Sequence, residues 1–92
     1  MKVSICGIPH KVIYVQDHFD ADTHFGQIDY NKAKILLNAD SADEIKAEAL
    51  CHEILHGIFV HIGRNDLAED EMLVNTLSNA IYQTFTVKVE DE

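Results

Sequence analysis

The chain has 92 residues, 47% of them hydrophobic and 25% charged, with a formal net charge of −9. That length supports one modest core and leaves no room for a second, and the composition excludes disorder and fibrous repeats. Only seven Lys and Arg are present, scattered along the chain, which speaks against direct binding to nucleic acid, where clustered cations are needed.

Taken in chain order, Val3 and Ile5 alternate with polar neighbours, Gly7-Ile8-Pro9 offers turn chemistry, and Val12-Ile13-Tyr14-Val15 is rich in β-formers. Residues 2–16 are therefore predicted to form a hairpin. Residues 17–26 are polar and read as a loop. A second hairpin is expected from Gln27–Tyr30 and Lys34–Leu37, with Asn31 carrying its turn. Ser41 and Glu44 have the spacing of a capping box, which starts a helix near residue 41, and Gly63 closes it. From Ile54 to Ile62 apolar side chains surround nearly the whole circumference, as in a helix packed against both a sheet and another helix. Asp66 is the expected N-cap of a second helix over 67–84, where Leu73, Val74, Leu77, Ala80 and Ile81 repeat at helical spacing. Residues 87–92 read as an acidic tail or a short terminal strand. The order of elements predicts an α+β fold, a small antiparallel or mixed sheet packed on two helices.

Cys6 and Cys51 are too few for a disulfide scaffold and are expected as reduced, largely buried thiols. The run Val3–Ile8 is short, contains Ser4 and Gly7, and is followed by Pro9, unlike a signal peptide. No segment approaches the roughly 20 apolar residues of a membrane span. A cytoplasmic location is the expectation.

The chemistry concentrates in Cys51-His52-Glu53-Ile54-Leu55-His56-Gly57, an H-E-x-x-H motif inside the first predicted helix. Histidines four residues apart share a helical face, one turn above the other, so both imidazoles can reach one metal ion. Glu53 projects about 100° around the axis from His52, placed to touch a metal-bound water without being a ligand. Cys51 diverges by a similar angle and reads as packing. A random chain of this composition would contain the motif in roughly three cases per hundred.

Catalytic zinc takes three protein ligands and keeps a position open. His61 does not supply the third: four residues separate it from His56 where the longer H-E-x-x-H-x-x-G-x-x-H pattern has five, and Phe59 occupies the glycine position. His61 is expected to face solvent or cap the helix. Glu69, Asp70 and Glu71 remain, brought back alongside the motif by an antiparallel second helix. Asp70 shares a stripe with Val74, Leu77 and Ile81; Glu71 precedes Val74 by three; Glu69, nearest the loop, is the least favoured. The residues alone leave that choice open.

His52-Glu53-Ile54-Leu55-His56-Gly57 followed by Glu71-x-x-Val74-Asn75-x-x-Ser78 resembles the small zincin metallopeptidases of the ImmA/IrrE type, most closely the compact phage and mobile-element versions, over roughly residues 27–85. That family carries E-x-x-A-N on the helix after the motif. Here Val74 stands for the alanine, Leu77 for an aromatic residue and Ser78 for a second alanine. The resemblance implies a single zincin-like domain over residues 1–86, a Zn2+ site formed by His52, His56 and Glu71, and a substrate strand laid along Ala33–Leu37. It further implies cleavage of a peptide bond in a specific protein partner such as a repressor, with zinc-bound water as nucleophile and Glu53 as general base. Tyr30, Tyr82, His18 and His24 are the candidates for steadying the oxyanion. The alternative is a zinc-stabilised binding protein of a mobile element that does not cleave; a base in the position of Glu53 favours the enzyme.

Overall fold

The computed structural model describes residues 1–16 and 25–91. Four strands, β1 (Lys2–Ile5), β2 (Ile8–Val15), β3 (Gly26–Asp29) and β4 (Lys34–Asn38), precede α1 (Asp43–His61), α2 (Asn65–Ala68) and α3 (Glu71–Thr84). They form a small α+β fold in which a mixed sheet of order β1-β2-β4-β3 packs against the helices. β1 and β2 are antiparallel, β2 and β4 parallel, and β4 and β3 antiparallel.

The first hairpin turns through Cys6 and Gly7, both at positive φ (51° and 82°), which matches the right-handed twist of the flanking strands. Pro9 lies inside β2 rather than in the turn, opposite Ser4. It is tolerated because the β2–β4 pairing starts only at Lys11, so at Pro9 the missing N–H faces no second strand. Cys6, expected to be buried, is exposed by its place at the hairpin tip; Cys51 is buried. In the second hairpin the turn rests less on Asn31 than on its neighbours. Asp29 Oδ1 accepts a hydrogen bond from Lys32 N at 3.1 Å, and Ala33 takes the left-handed conformation (φ 51°).

α1 lies between two apolar clusters. Towards the sheet, Ala49 and Leu50 pack with Val3, Ile5, Val12, Ile35 and Leu37. On its other side, Leu55 and Phe59 pack with Ala68 and Val74. Gly57 permits the close approach to the sheet, since a Cβ there would meet Ile5 Cδ1 at 3.0 Å and Ile28 Cδ1 at 3.1 Å. Ile62, past the end of the helix, is exposed instead of joining this girdle.

The helix ends follow backbone chemistry more than the expected side-chain caps. α1 begins after Ala42, which makes no side-chain cap. Ser41 therefore sits one position too early and the Ser41–Glu44 box does not form, leaving Asp43 and Glu44 to complement the helix dipole. At the other end, Arg64 N donates to Phe59 O (2.8 Å) and Gly63 N to Val60 O (3.0 Å), a Schellman closure that needs the positive φ of Gly63 (79°). The expected helix over 67–84 is two helices. Asp66 pairs with Arg64 instead of capping. Asp70 is the N-cap, its Oδ1 accepting from Leu73 N at 3.1 Å, and this restarts the chain as α3.

After α3 the chain runs extended, and Glu90 exchanges two backbone hydrogen bonds with Lys2, both 2.8 Å. This is an isolated bridge on the outer side of β1, neither a full strand nor a detached tail. No helix is long and apolar enough to cross a membrane among the described residues.

Candidate metal centre

His52 and His56 lie in the middle of α1, and Glu71 opens α3. The Asp70 cap sets the first turn of α3 against α1, and Glu71, Val74 and Ser78 then follow at three- and four-residue spacing along one helical face. Val74 and Ser78 are almost fully buried. Behind them, the buried Cys51 Sγ donates to Ser78 O at 3.5 Å. Burial pushes the Cys51 thiol pKa up, so Cys51 packs the helix pair and is a poor thiolate.

The His52 and His56 Nε2 atoms are 3.1 Å apart. Glu71 Oε1 lies 3.0 Å from His56 Nε2 and Glu71 Oε2 lies 3.5 Å from His52 Nε2. Donors on a tetrahedral ion with bonds of about 2.0–2.1 Å sit about 3.3 Å from one another, so the three side chains stand close enough for one ion to be shared. Burial, and then the neighbouring His56, hold the His52 pKa below its usual value, against the opposing pull of Glu71 and Glu48. A neutral His52 keeps its lone pair for a metal and gains little from an ion pair with Glu71. The cluster His52–His56–Glu71 can hold a metal ion, and it is the one such group among the described residues.

The two rival carboxylates fall elsewhere. Asp70 is engaged at the N-terminus of α3, and Glu69 is the exposed C-cap residue of α2. A periodic reading that ran one helix through 67–84 could not separate them from Glu71; the break at Asp70 does.

Glu53 is buried beside the cluster without joining it. Burial first, then the charge of Glu71, pushes its carboxyl up to about 7. It points under the sheet edge: a Cβ on Gly26 would lie 3.2 Å from Glu53 Cγ. The cleft between β3 and the two helices, about 680 Å³, is lined by His52, Glu53, His56, Glu71, Tyr30 and Asn75 among others.

Of the four oxyanion candidates, Tyr30 lines this cleft. Burial and the nearby charges of Glu53 and Glu71 push its phenol pKa up, so it remains an O–H donor. Tyr82 lies near the end of α3 and is not part of the lining; His18 and His24 lie outside the described residues. Asn75, given no role from residue spacing, lies beside the His52 ring and acts to raise its pKa. Its signal was its place four residues after Glu71, on the same helical face.

Two expectations are corrected. Ala33–Leu37 is not a sheet edge, because β4 is paired on both sides, with β2 and β3. Among the described residues the edges of the sheet are β1, whose outer side carries the isolated Lys2–Glu90 bridge, and β3, which lies directly beside the cleft. His61 neither faces solvent nor caps the helix. It sits edge-to-face on the fully buried His10 ring, centroids 5.6 Å apart. His10 Nδ1 donates to Ile8 O at 2.8 Å.

Comparison of the chain with protein-family models, with curated protein sequences and with solved structures gave no match.

Proposed function

We propose that the protein is a zinc metallopeptidase of compact zincin-like design, with His52, His56 and Glu71 as the ligands. The observation that carries this reading is Glu53, a buried carboxylate poised near neutrality next to three convergent metal donors yet not one of them. A site that only stabilised the fold would use the donors and have no need of a base whose burial costs stability.

A zinc ion held by His52, His56 and Glu71 would supply Lewis acidity for a carbonyl group and for a water molecule near pH 7. Glu53 accepts a proton from the attacking water as its oxygen bonds to the peptide carbonyl carbon. Glu53 then returns that proton to the amide nitrogen as the C–N bond breaks. Tyr30 donates its O–H to the oxygen on which charge develops, and Asn75 keeps the His52 ring in orientation. The free side of β3 offers backbone groups to an extended peptide, as strand addition requires. The ligand order His52, His56, Glu71 is in keeping with the likeness of the motif to ImmA/IrrE-type peptidases, from which a specific protein substrate would follow.

Glu53→Gln tests it. The variant is expected to bind zinc like the wild type and to lose hydrolysis of a peptide library, whereas His56→Ala loses both. Equal hydrolysis by Glu53→Gln and the wild type would refute the catalytic role.

A further inference from the structure

A second, smaller cavity of about 210 Å³ shares no lining residue with the metal cleft. Its apolar wall is built from four places in the chain: Val3 of β1, Ile54 and Ile58 of α1, Ile81 of α3, and Val87 of the extended segment after α3. Cys51 also lines it, but its Sγ is already engaged with Ser78 O. The segment that carries Val87 is tied to β1 by the Lys2–Glu90 bridge alone. Two positions further along each chain stand Ser4 and Lys88, and both line the cavity. Lys2 spends its backbone N–H on the outer side of β1. By the alternation of a strand, Ser4 N–H points the same way, where no strand among the described residues pairs with it. Lys88 is exposed and forms no salt bridge among the described residues.

The chain has 16 Asp and Glu against 7 Lys and Arg, yet the single charged residue lining this cavity is Lys88. An apolar chamber with one cation and one unpaired N–H beside it suits an amphipathic monoanion, whereas a phosphate dianion calls for more donors and cations. At about 30 Å³ for each water-sized unit, the chamber holds roughly seven such units, too few for a long acyl chain or a peptide. We propose that the cavity binds the anion of a medium-chain carboxylic acid, about six to eight carbons long. Its tail lies between Ile54, Ile58, Ile81 and Val87, and its carboxylate accepts from the Lys88 ammonium and Ser4 N–H. Each methylene taken out of water favours binding, and Lys88 decides which end stays outside. This site is independent of the peptidase reading, since it borrows neither the metal donors nor Glu53.

The test is a methyl-detected NMR titration of the full chain with octanoate, with butanoate and octylamine as the comparison ligands. Octanoate is expected to shift the methyl groups of Ile54, Ile58, Ile81 and Val87 saturably, and to bind at least about tenfold tighter than butanoate. Lys88→Gln, at an exposed position, should weaken octanoate about threefold and remove most of its advantage over octylamine. Ile58→Phe fills the chamber and should abolish the shifts; if that variant does not fold, the chain-length series and Lys88→Gln still decide. No saturable shift in the wild type, no dependence on chain length, or octanoate affinity unchanged in Lys88→Gln overturns the proposal. Shifts confined to Ile28 and Ile45, which line the metal cleft, overturn it as well by placing the carboxylate there.

Discussion

Gly26 and Glu53 are in near contact: a single methyl group on residue 26 would stand 3.2 Å from Glu53 Cγ and 3.1 Å from Leu37 Cδ2. The edge strand and the proposed base are thereby fitted to each other. Gly26→Val, which demands more room than a methyl, is expected to displace the Glu53 side chain. Turnover should fall at least about tenfold while zinc content stays that of the wild type, a cost of 1–3 kcal/mol being typical of overpacking. Unchanged turnover in a folded Gly26→Val protein would show that the contact does not position the base.

The three neighbouring carboxylates separate by role. Glu71→Ala should weaken zinc binding by at least about tenfold, through loss of one ligand. Asp70→Ala should lower stability by about 1 kcal/mol through loss of the cap, with a smaller effect on zinc, and Glu69→Ala should change neither. Zinc titration of the three variants beside denaturant melts checks this, and stronger zinc loss in Glu69→Ala would reassign the ligand.

Glu53 also gives the metal-free protein a pH signature. Its folded pKa, about 7, stands above the ordinary value of 4.5, so between those values the unfolded chain loses its proton first and stability falls as pH rises. The loss is complete above pH 7 and amounts to roughly 3 kcal/mol from this group. Chelator-treated Glu53→Gln should therefore be more stable than chelator-treated wild type at pH 8 and no more stable at pH 4. Urea melts at the two pH values decide it; an equal gain at both would mean that ionisation of Glu53 is not the cause.

Tyr30→Phe keeps the ring and removes the donor. Zinc affinity and KM should stay close to wild type, while kcat falls by about 10²-fold, the scale seen when one oxyanion donor is removed. A rise in KM at constant kcat would make Tyr30 a substrate-binding residue.

Zinc should raise the melting temperature, since an ion bound only by the folded chain stabilises it by about 4 kcal/mol at a thousandfold excess over Kd. EDTA should reverse the shift, and His56→Ala should abolish it. No shift in the wild type would indicate that the cluster does not bind zinc under those conditions.

The sequence displayed what depends on local periodicity: both hairpins, the long helix with His52 and His56 on one face, and the Gly63 stop. It concealed what depends on competition between neighbours. Ser41 and Asp66 were as eligible for capping as Asp70, and the outcome turned on where the chain re-entered the helix. The strand order was illegible because β2 and β4 pair in parallel past the intervening β3, so β4, which reads as half of a simple hairpin, ends in the middle of the sheet. His10 and His61 could not be paired from spacing at all, since their contact joins a strand to the far end of a helix fifty-one positions later. Tyr30 became distinguishable from Tyr82 only when β3 was placed against α1.

The proposed base Glu53 and two of the three candidate metal donors ride on one continuous α-helix. Thermal breathing that opens the seam between α1 and the sheet would carry Glu53, His52 and His56 together and leave their mutual distances nearly constant. What varies is the gap to β3. In the proposed peptidase, warming would thus loosen the grip on a peptide well before it detuned the proton-transfer geometry, and adaptation of such a scaffold to a colder or hotter setting would act on the seam rather than on the donors.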